Sequence, residues 1–204
     1  MNYSEVISAA LNYADREDSE VSLRLDTFLR VVESRVNRIL QTRNQCKRAY
    51  ITTDIDKDFY GLPADFAGLR YIQIKDSHND SLGLTLEFVT PEYMNMAALE
   101  GNDLKRYTII NNQLHIYPRL DNLSLEIIYY QRLPALTNIA NSNWLSTNYP
   151  DAYIFGLLTE ISSFVKDIEA ASLWDARFKE IMQEMEHEDS IDRWSGPPLS
   201  VRLV

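Results

Sequence analysis

Residues 21–40 read VSLRLDTFLRVVESRVNRIL, and this stretch decides the first element of the fold. Its apolar side chains recur three, four and seven residues apart, so they fall on one side of an α-helix. The members of this apolar stripe are Leu25, Phe28, Leu29, Val32, Val36, Ile39 and Leu40. The stretch therefore predicts a single amphipathic helix of about five turns that buries one face in a core.

The middle third of the chain changes to the alternation that is typical of β-strands. Strands are predicted at residues 47–53, 70–75, 82–89, 106–110, 113–117 and 123–131. Asn111 and Asn112 separate two of these runs and predict a two-residue hairpin loop, because asparagine tolerates a positive φ angle. Thr90, Pro91 and Glu92 predict the start of a short helix, as cap, first residue and dipole partner.

Both ends of the chain are helical in pattern, with helices predicted at residues 4–13, from Pro150, and at 168–187. Neither end carries enough apolar stripes to fold alone, so we expect the two ends to pack together. The predicted fold is α+β. Residues 1–44 and 145–189 form a helical bundle, residues 45–144 form a β-rich insertion (a small sheet or barrel), and residues 190–204 form an extended C-terminal tail.

Composition excludes several classes of protein. The chain has 204 residues, with 20 Lys and Arg against 30 Asp and Glu, which gives a net charge of −10. Phosphate contacts need a cationic face, so this acidity argues against a free-standing nucleic-acid binder. No apolar run approaches the ~20 residues that span a bilayer, and the N-terminus lacks a signal-peptide pattern. We expect a protein made in a reducing cytoplasm, with no membrane partner.

The sequence contains no recognisable active site. Cys46 is the only cysteine, which excludes an internal disulfide and a cysteine-based zinc cluster. The six glycines form no phosphate-binding loop, and the three histidines lack the paired spacing of metal ligands. Asp54 and Asp65 are ordinary acids in an acidic chain, with nothing that marks a shifted pKa. We predict no catalytic residue, no metal ligand and no cofactor.

The charge is unevenly distributed. Between Ser34 and Thr53 there are five basic residues and no acid, and these are Arg35, Arg38, Arg43, Lys47 and Arg48. From Pro150 to Val204 there are eleven acidic and five basic residues, which gives a net charge of −6. In one interpretation, the basic segment satisfies its own helix dipole and pairs with the acidic helices of the same chain. In the other, the two regions meet between copies, or the basic surface faces a partner or DNA.

The last fifteen residues form the second unusual feature. The run RWSGPP at residues 193–198 is not expected to be helical, because it contains glycine and two prolines. The apolar residues within and after this run are unfavourable to expose to water, and they are Trp194, Leu199, Val201, Leu203 and Val204. A frayed terminus is the ordinary interpretation. We favour docking on a partner, because alternating apolar tails complete the sheets or grooves of other chains.

Several motifs, in this order, resemble one known family. They include LPADF at residues 62–66, TPEY at 90–93, NQLHIYP at 112–118, NWL at 143–145, YPDAY at 149–153 and GLLTE at 156–160. Together they cover roughly residues 21–185 and are similar to the head-to-tail adaptor (connector) proteins of tailed bacteriophages, of the podophage type.

The resemblance implies a structural and non-enzymatic role in the virion, at the junction of head and tail. Such adaptors form a ring, usually of twelve copies, between the portal protein and the tail nozzle or tube. DNA passes through the lumen without sequence-specific binding. A net acidic wall fits this role, since it repels phosphate and lets the duplex slide. The basic residues 35, 38, 43, 47 and 48, together with the apolar tail, are then candidates for the contact with neighbouring copies or with the portal.

Two alternatives stay open. One is a small oligomeric regulator that binds nucleic acid through the segment from Arg35 to Arg48. The other is a hydrolase with a site assembled across the fold, using Asp54, Asp65 or Cys46. For the adaptor, we predict that charge reversal at Arg35, Arg38 and Lys47 weakens assembly. We also predict that removal of residues 190–204 leaves a folded monomer that no longer docks.

Overall fold

In a computed structural model of the chain, residues 1–16, 18–76, 79–97 and 104–194 are described. They group into two compact units. The helical unit consists of Met1–Asn44 and the chain from Leu133 onward, and the sheet unit consists of Gln45–Arg132. The predicted α+β fold, with helices from both ends of the chain and a β-rich insertion between them, is confirmed.

Seven α-helices lie within the described ranges. They are α1 (Tyr3–Ala14), α2 (Ser19–Ser22), α3 (Leu25–Ile39), α4 (Pro91–Ala97), α5 (Trp144–Asn148), α6 (Pro150–Phe164) and α7 (Ile168–Trp194). Local sequence explains where they begin. Asn2 and Glu5 form a capping box at the start of α1, and Pro150 occupies the first turn of α6, where a missing N–H costs nothing. α4 belongs to the sheet unit and the other six to the helical unit.

The core of the helical unit is formed by the apolar stripe of α3 packed against α6 and α7. Val32 and Val36 are fully buried there, as are Leu157 on α6 and Phe178 on α7. Gly156 allows the close approach, because a Cβ atom at this position would lie only 2.6 Å from a methyl carbon of Val32. The predicted bundle therefore depends on a residue without a side chain at the point where α3 and α6 meet.

The helix predicted at residues 21–40 is divided in two in the structure. α2 ends at Ser22, and α3 begins at Leu25. The Arg24 N–H donates to the Val21 carbonyl at 2.9 Å, a tight three-residue turn that interrupts the helix, and Leu23 is left 85% exposed. A periodic apolar pattern does not show such a break, because the residues on both sides of it still face the core.

The prediction that the chain leaves the helix at Ser190 is wrong, because α7 continues to Trp194. Residues 190–194 contain neither glycine nor proline and are compatible with helical φ and ψ angles, so helical structure is allowed up to Trp194. The remainder of the predicted tail, with Leu199, Val201 and Leu203, lies outside the described residues.

The segment 133–144 was grouped with the insertion by sequence, and the structure places it in the helical unit. Leu133 and Leu136 are buried in the helical core. The Leu133 N–H donates to Asn37 Oδ1 at 2.7 Å, which fixes the segment to α3. Polar anchoring of this kind leaves no periodic signal in the sequence.

Eight strands form the sheets of the described sheet unit. They are β1 (Cys46–Thr52), β2 (Phe59–Gly61), β3 (Phe66–Asp76), β4 (Asn79–Thr85), β5 (Glu87–Phe88), β6 (Arg106–Ile110), β7 (Gln113–Tyr117) and β8 (Ser124–Gln131). One sheet has the order β1-β8-β3-β4, with every neighbour antiparallel, and the other has the order β2-β7-β6-β5. Only the pair β5 and β6 is parallel.

The two sheets share one core. Ile72, Ile127 and Leu125 contribute from the first sheet, and Leu114 and Ile116 from the second. No closed barrel forms among the described strands. Of the two predicted alternatives, a small sheet or a barrel, the structure has the sheet form, as two open sheets. A barrel would need both edges of one sheet to meet, and each of these sheets keeps two edges.

The hairpin predicted at Asn111 and Asn112 is confirmed, with φ angles of 47° and 61° at the two loop residues and β6 and β7 on either side. The strand predicted at 82–89 is instead two strands, β4 and β5, which belong to different sheets. The short elements β2 and α5 were not predicted, because three to five residues are too few to show a period.

Candidate interaction surfaces

Arg35 is held inside the helical unit. Its guanidinium donates to Asp175 of α7, lies 3.7 Å from Glu160 of α6, and sits over the ring of Phe178 at 4.5 Å. Burial raises the pKa of Asp175, but hydrogen bonds from Lys179 and Arg35 outweigh it, and the pKa is lowered overall. This residue therefore follows the first interpretation of the basic segment, in which it pairs with the acidic helices of its own chain.

Arg43 also contacts the acidic end of α7. Its backbone N–H donates to Asp189 Oδ1 at 2.7 Å, and its Nε atom lies 3.8 Å from the same oxygen. A polar cavity of about 390 Å³ opens beside this pair. On its wall the Tyr149 hydroxyl donates to Glu188 at 2.6 Å. The end of α7 is thereby tied to the residues that follow α3.

Arg38 differs from the other four basic residues. It is exposed on α3, and its guanidinium donates to Ser34 Oγ at 3.0 Å. Among the described residues, no carboxylate lies within ion-pair distance of it. Its charge is therefore available to a partner at low cost, since no existing ion pair has to be broken.

Lys47 and Arg48 lie on β1 of the sheet unit. Lys47 donates to Asp65 at 2.8 Å, and Arg48 approaches Glu126 of β8 at 2.7 Å. Glu126 is only 4% exposed and also accepts from Gln73 of β3. Three neighbouring strands are therefore linked by one carboxylate, a cluster that the sequence analysis did not find because its members are far apart in the chain.

The acids and the thiol considered for a hydrolase are all in structural contacts. The Asp56 N–H, which donates to Asp54, and the nearby Lys57 lower the pKa of Asp54. Lys47 and the Tyr129 hydroxyl lower the pKa of Asp65. Arg70 lies 3.0 Å from the Cys46 sulfur. The lowered pKa values reflect the hydrogen bonds and ion pairs that hold these carboxylates, and they do not mark a proton donor.

In the part of the chain that the structure describes, no group of three or more His, Cys, Asp or Glu side chains is placed to hold a metal ion. Across the same ranges, no helix combines the length and apolarity needed to cross a bilayer.

Apolar side chains are exposed at one end of the helical unit. Leu23 lies at the turn between α2 and α3, and Ile168, which is 79% exposed, begins α7. The two turns are close, because the Arg24 guanidinium lies over the ring of Phe164 at 5.0 Å. Both residues present apolar surface that a partner could cover.

The family is decided by a match over nearly the whole chain. The family model described as SU10 adaptor protein matches residues 1–202. The chain belongs to the SU10 adaptor protein family. No curated protein matches it. The resemblance to phage adaptors found in the sequence is confirmed, and SU10 adaptor membership makes the chain a structural component of a bacteriophage virion.

In an SU10 adaptor, the exposed surfaces described above are the candidates for contacts with other virion components. Trp194 is the last residue of α7, but its side chain is not among the described ones. Leu199, Val201 and Leu203 lie outside the described residues. Of the predicted interface residues, Arg38 alone is exposed without a described carboxylate partner.

Proposed function

We propose that this adaptor forms a ring that joins the portal protein to the tail nozzle or tube. A ring of twelve copies is expected by analogy with the podophage-type adaptors that the sequence resembles. DNA passes through its lumen during ejection without sequence-specific binding. The observation that carries the proposal is the match of the SU10 adaptor family to residues 1–202. The net charge of −10 supports it, because an anionic wall does not retain a polyanion.

The two-unit architecture supports the proposal as well. A ring of identical chains needs two different surfaces that complement each other. The helical unit offers the apolar end at Leu23 and Ile168, and the exposed charge of Arg38. We assign Arg38, Arg43, Lys47 and Arg48 to contacts with neighbouring copies or the portal. Arg38 is foremost among them, because the other three must share or exchange ion pairs that they already hold.

The ring is tested by mixing the purified chain with portal assemblies of the same phage and measuring the mass by native mass spectrometry. A defined multiple of the chain bound to the portal is the expected result. A chain that stays monomeric beside the portal would contradict the proposed function. Duplex DNA added to the complex should not bind to it at physiological salt, whereas a regulator would bind DNA with strong salt dependence.

Charge reversal separates the basic residues. Arg38→Glu should weaken assembly at low salt and lower the unfolding midpoint only slightly, because Arg38 holds no described ion pair but lies in the last turn of α3, where a base favours the helix dipole. Arg35→Glu should instead lower the midpoint, since it places an acid between Asp175 and Glu160. If Arg38→Glu assembles normally at every salt concentration, Arg38 is not in the contact.

A further inference from the structure

Within the described residues, the sheet with the order β1-β8-β3-β4 ends on two open edges. Among the described strands, β1 pairs with β8 alone and β4 pairs with β3 alone. Both edge strands have seven residues. An open edge presents a row of unpaired backbone N–H and C=O groups, and proteins usually cover or blunt such edges.

The edge of β1 is not blunted. Thr53, at the end of the strand, exchanges both of its backbone hydrogen bonds with the chain before β8. Because bonding alternates along a strand, Arg48, Tyr50 and Thr52 direct their N–H and C=O groups away from β8. The charged side chains that could protect the edge are drawn back over the sheet, since Lys47 pairs with Asp65 and Arg48 with Glu126.

The edge of β4 carries an apolar residue on its inner side. Leu84 pairs with Ile74 across the strands, so both face the same side of the sheet. Ile74 is buried in the core, but Leu84 is 55% exposed. A further strand along β4 would place its own core-facing residues beside Leu84 and cover it.

The two edges have opposite charge and compatible direction. β1 itself carries two bases, Lys47 and Arg48, and no acid. The segment around β4, residues 76–92, has four acids and neither Lys nor Arg, and these acids are Asp76, Asp80, Glu87 and Glu92. Because every neighbour in the sheet is antiparallel, β1 of a second copy can follow β4 without a change of pattern.

We propose that neighbouring copies join by pairing β4 of one chain with β1 of the next, so that the sheets continue from copy to copy. In this arrangement the end of β4, from which the chain leads into Glu87 of β5, lies beside the basic start of β1. Leu84 packs against the core-facing residues of the neighbour's β1, Ala49 and Ile51. The contact is heterologous and therefore suits a ring. The inference rests on the proposed function and names the contact between its copies.

The first test blocks one edge at a time. Thr52→Pro removes an outward N–H from β1, and Leu84→Lys places a charge on the inner side of β4. Each variant alone should fail to form rings, and an equimolar mixture should give a heterodimer that cannot extend, because both of its outer edges are blocked, as measured by native mass spectrometry. The matched controls Thr52→Val and Leu84→Ile should form rings of wild-type mass. Rings formed by either blocked variant would overturn the proposal.

The second test needs no destabilising change. A photo-crosslinking amino acid at position 84, in an equal mixture of ¹⁴N- and ¹⁵N-labelled chains assembled on the portal, should give mixed-isotope crosslinks to residues 46–53. Crosslinks to residues 195–204 would assign the edge to the C-terminal tail. Crosslinks to the portal would assign it to that partner. Either result, from rings of normal mass, overturns edge pairing and leaves the proposed function standing, whereas a chain that forms no ring contradicts both.

Discussion

At the scale of single residues, Glu33 is the most informative position in the helical unit. It is buried on α3, where its Oε1 atom accepts from the Leu136 N–H at 2.6 Å and from the Tyr153 hydroxyl at 3.2 Å. Asn143 donates to the same hydroxyl at 2.7 Å. One carboxylate thereby fastens the segment after Arg132 to both α3 and α6, and a buried polar network of this kind fixes one arrangement of the chain.

Burial raises the pKa of Glu33, and the hydrogen bonds from Leu136 and Tyr153 only partly oppose that rise. A group whose pKa is higher in the folded state contributes stability that is complete below its unfolded value, here 4.5, and is lost as the pH rises through the folded value. We therefore expect the wild type to gain free energy of unfolding relative to Glu33→Gln as the pH falls from 7 to 4.5. Urea unfolding at a series of pH values measures this difference.

The control for that series is Glu169→Gln, at an exposed carboxylate on α7, which should show no comparable trend. Glu33→Ala should lower the free energy of unfolding more than Glu33→Gln does at every pH. It leaves two buried donors without an acceptor, at about 1–3 kcal/mol each. A constant difference between the wild type and Glu33→Gln across the pH range would mean that Glu33 is not held as described.

At the scale of elements, the contact between α3 and α6 depends on Gly156. A Cβ atom there would lie 2.6 and 2.9 Å from the two methyl carbons of Val32, and 3.3 Å from the ring of Phe178. Alanine favours a helix over glycine by about 1 kcal/mol, so the substitution sets a local gain against a packing clash. The clash should win, because Val32 and Phe178 are fully buried and have no room to move.

Gly156→Ala should therefore lower the free energy of unfolding by about 1–3 kcal/mol, the usual cost of overpacking a core. Val32→Ala should also be destabilising, because it leaves a cavity. The double variant should be more stable than the sum of the two single effects predicts, since the new methyl group occupies the space of the lost ones. Chemical unfolding of all four chains gives the coupling energy, and strict additivity would contradict the packing described here.

At the scale of the whole molecule, the charge pattern separates into parts. Arg35 and Arg43 pair with acids of the helical unit, whereas Lys47 and Arg48 pair within the sheet unit. The basic segment is therefore not one continuous surface waiting for a partner. The features that can join another chain without exchange of these ion pairs are Arg38, the apolar end at Leu23 and Ile168, and the open edges of the first sheet.

The tail prediction also belongs to this scale, and the end of α7 at Trp194 moves its boundary. Removal of residues 195–204 should leave the helical content and the unfolding midpoint unchanged and should abolish binding to the portal, as expected for a folded monomer that no longer docks. Circular dichroism, urea unfolding and co-sedimentation with the portal measure these three properties. Truncation from Ser190 is the comparison, and it should lower stability because it removes the last helical turn.

The sequence by itself determined the α+β class, the apolar stripe of α3, the Asn111–Asn112 hairpin and the family, because each is encoded in short-range periodicity, turn chemistry or ordered motifs. Only the tertiary structure decided which acid each basic residue meets, where Glu33 and Glu126 are buried, and which strands are left at an edge. These features join residues up to 146 positions apart, as for Arg43 and Asp189. Ion pairs and strand order at that separation follow from packing, and no local pattern records them.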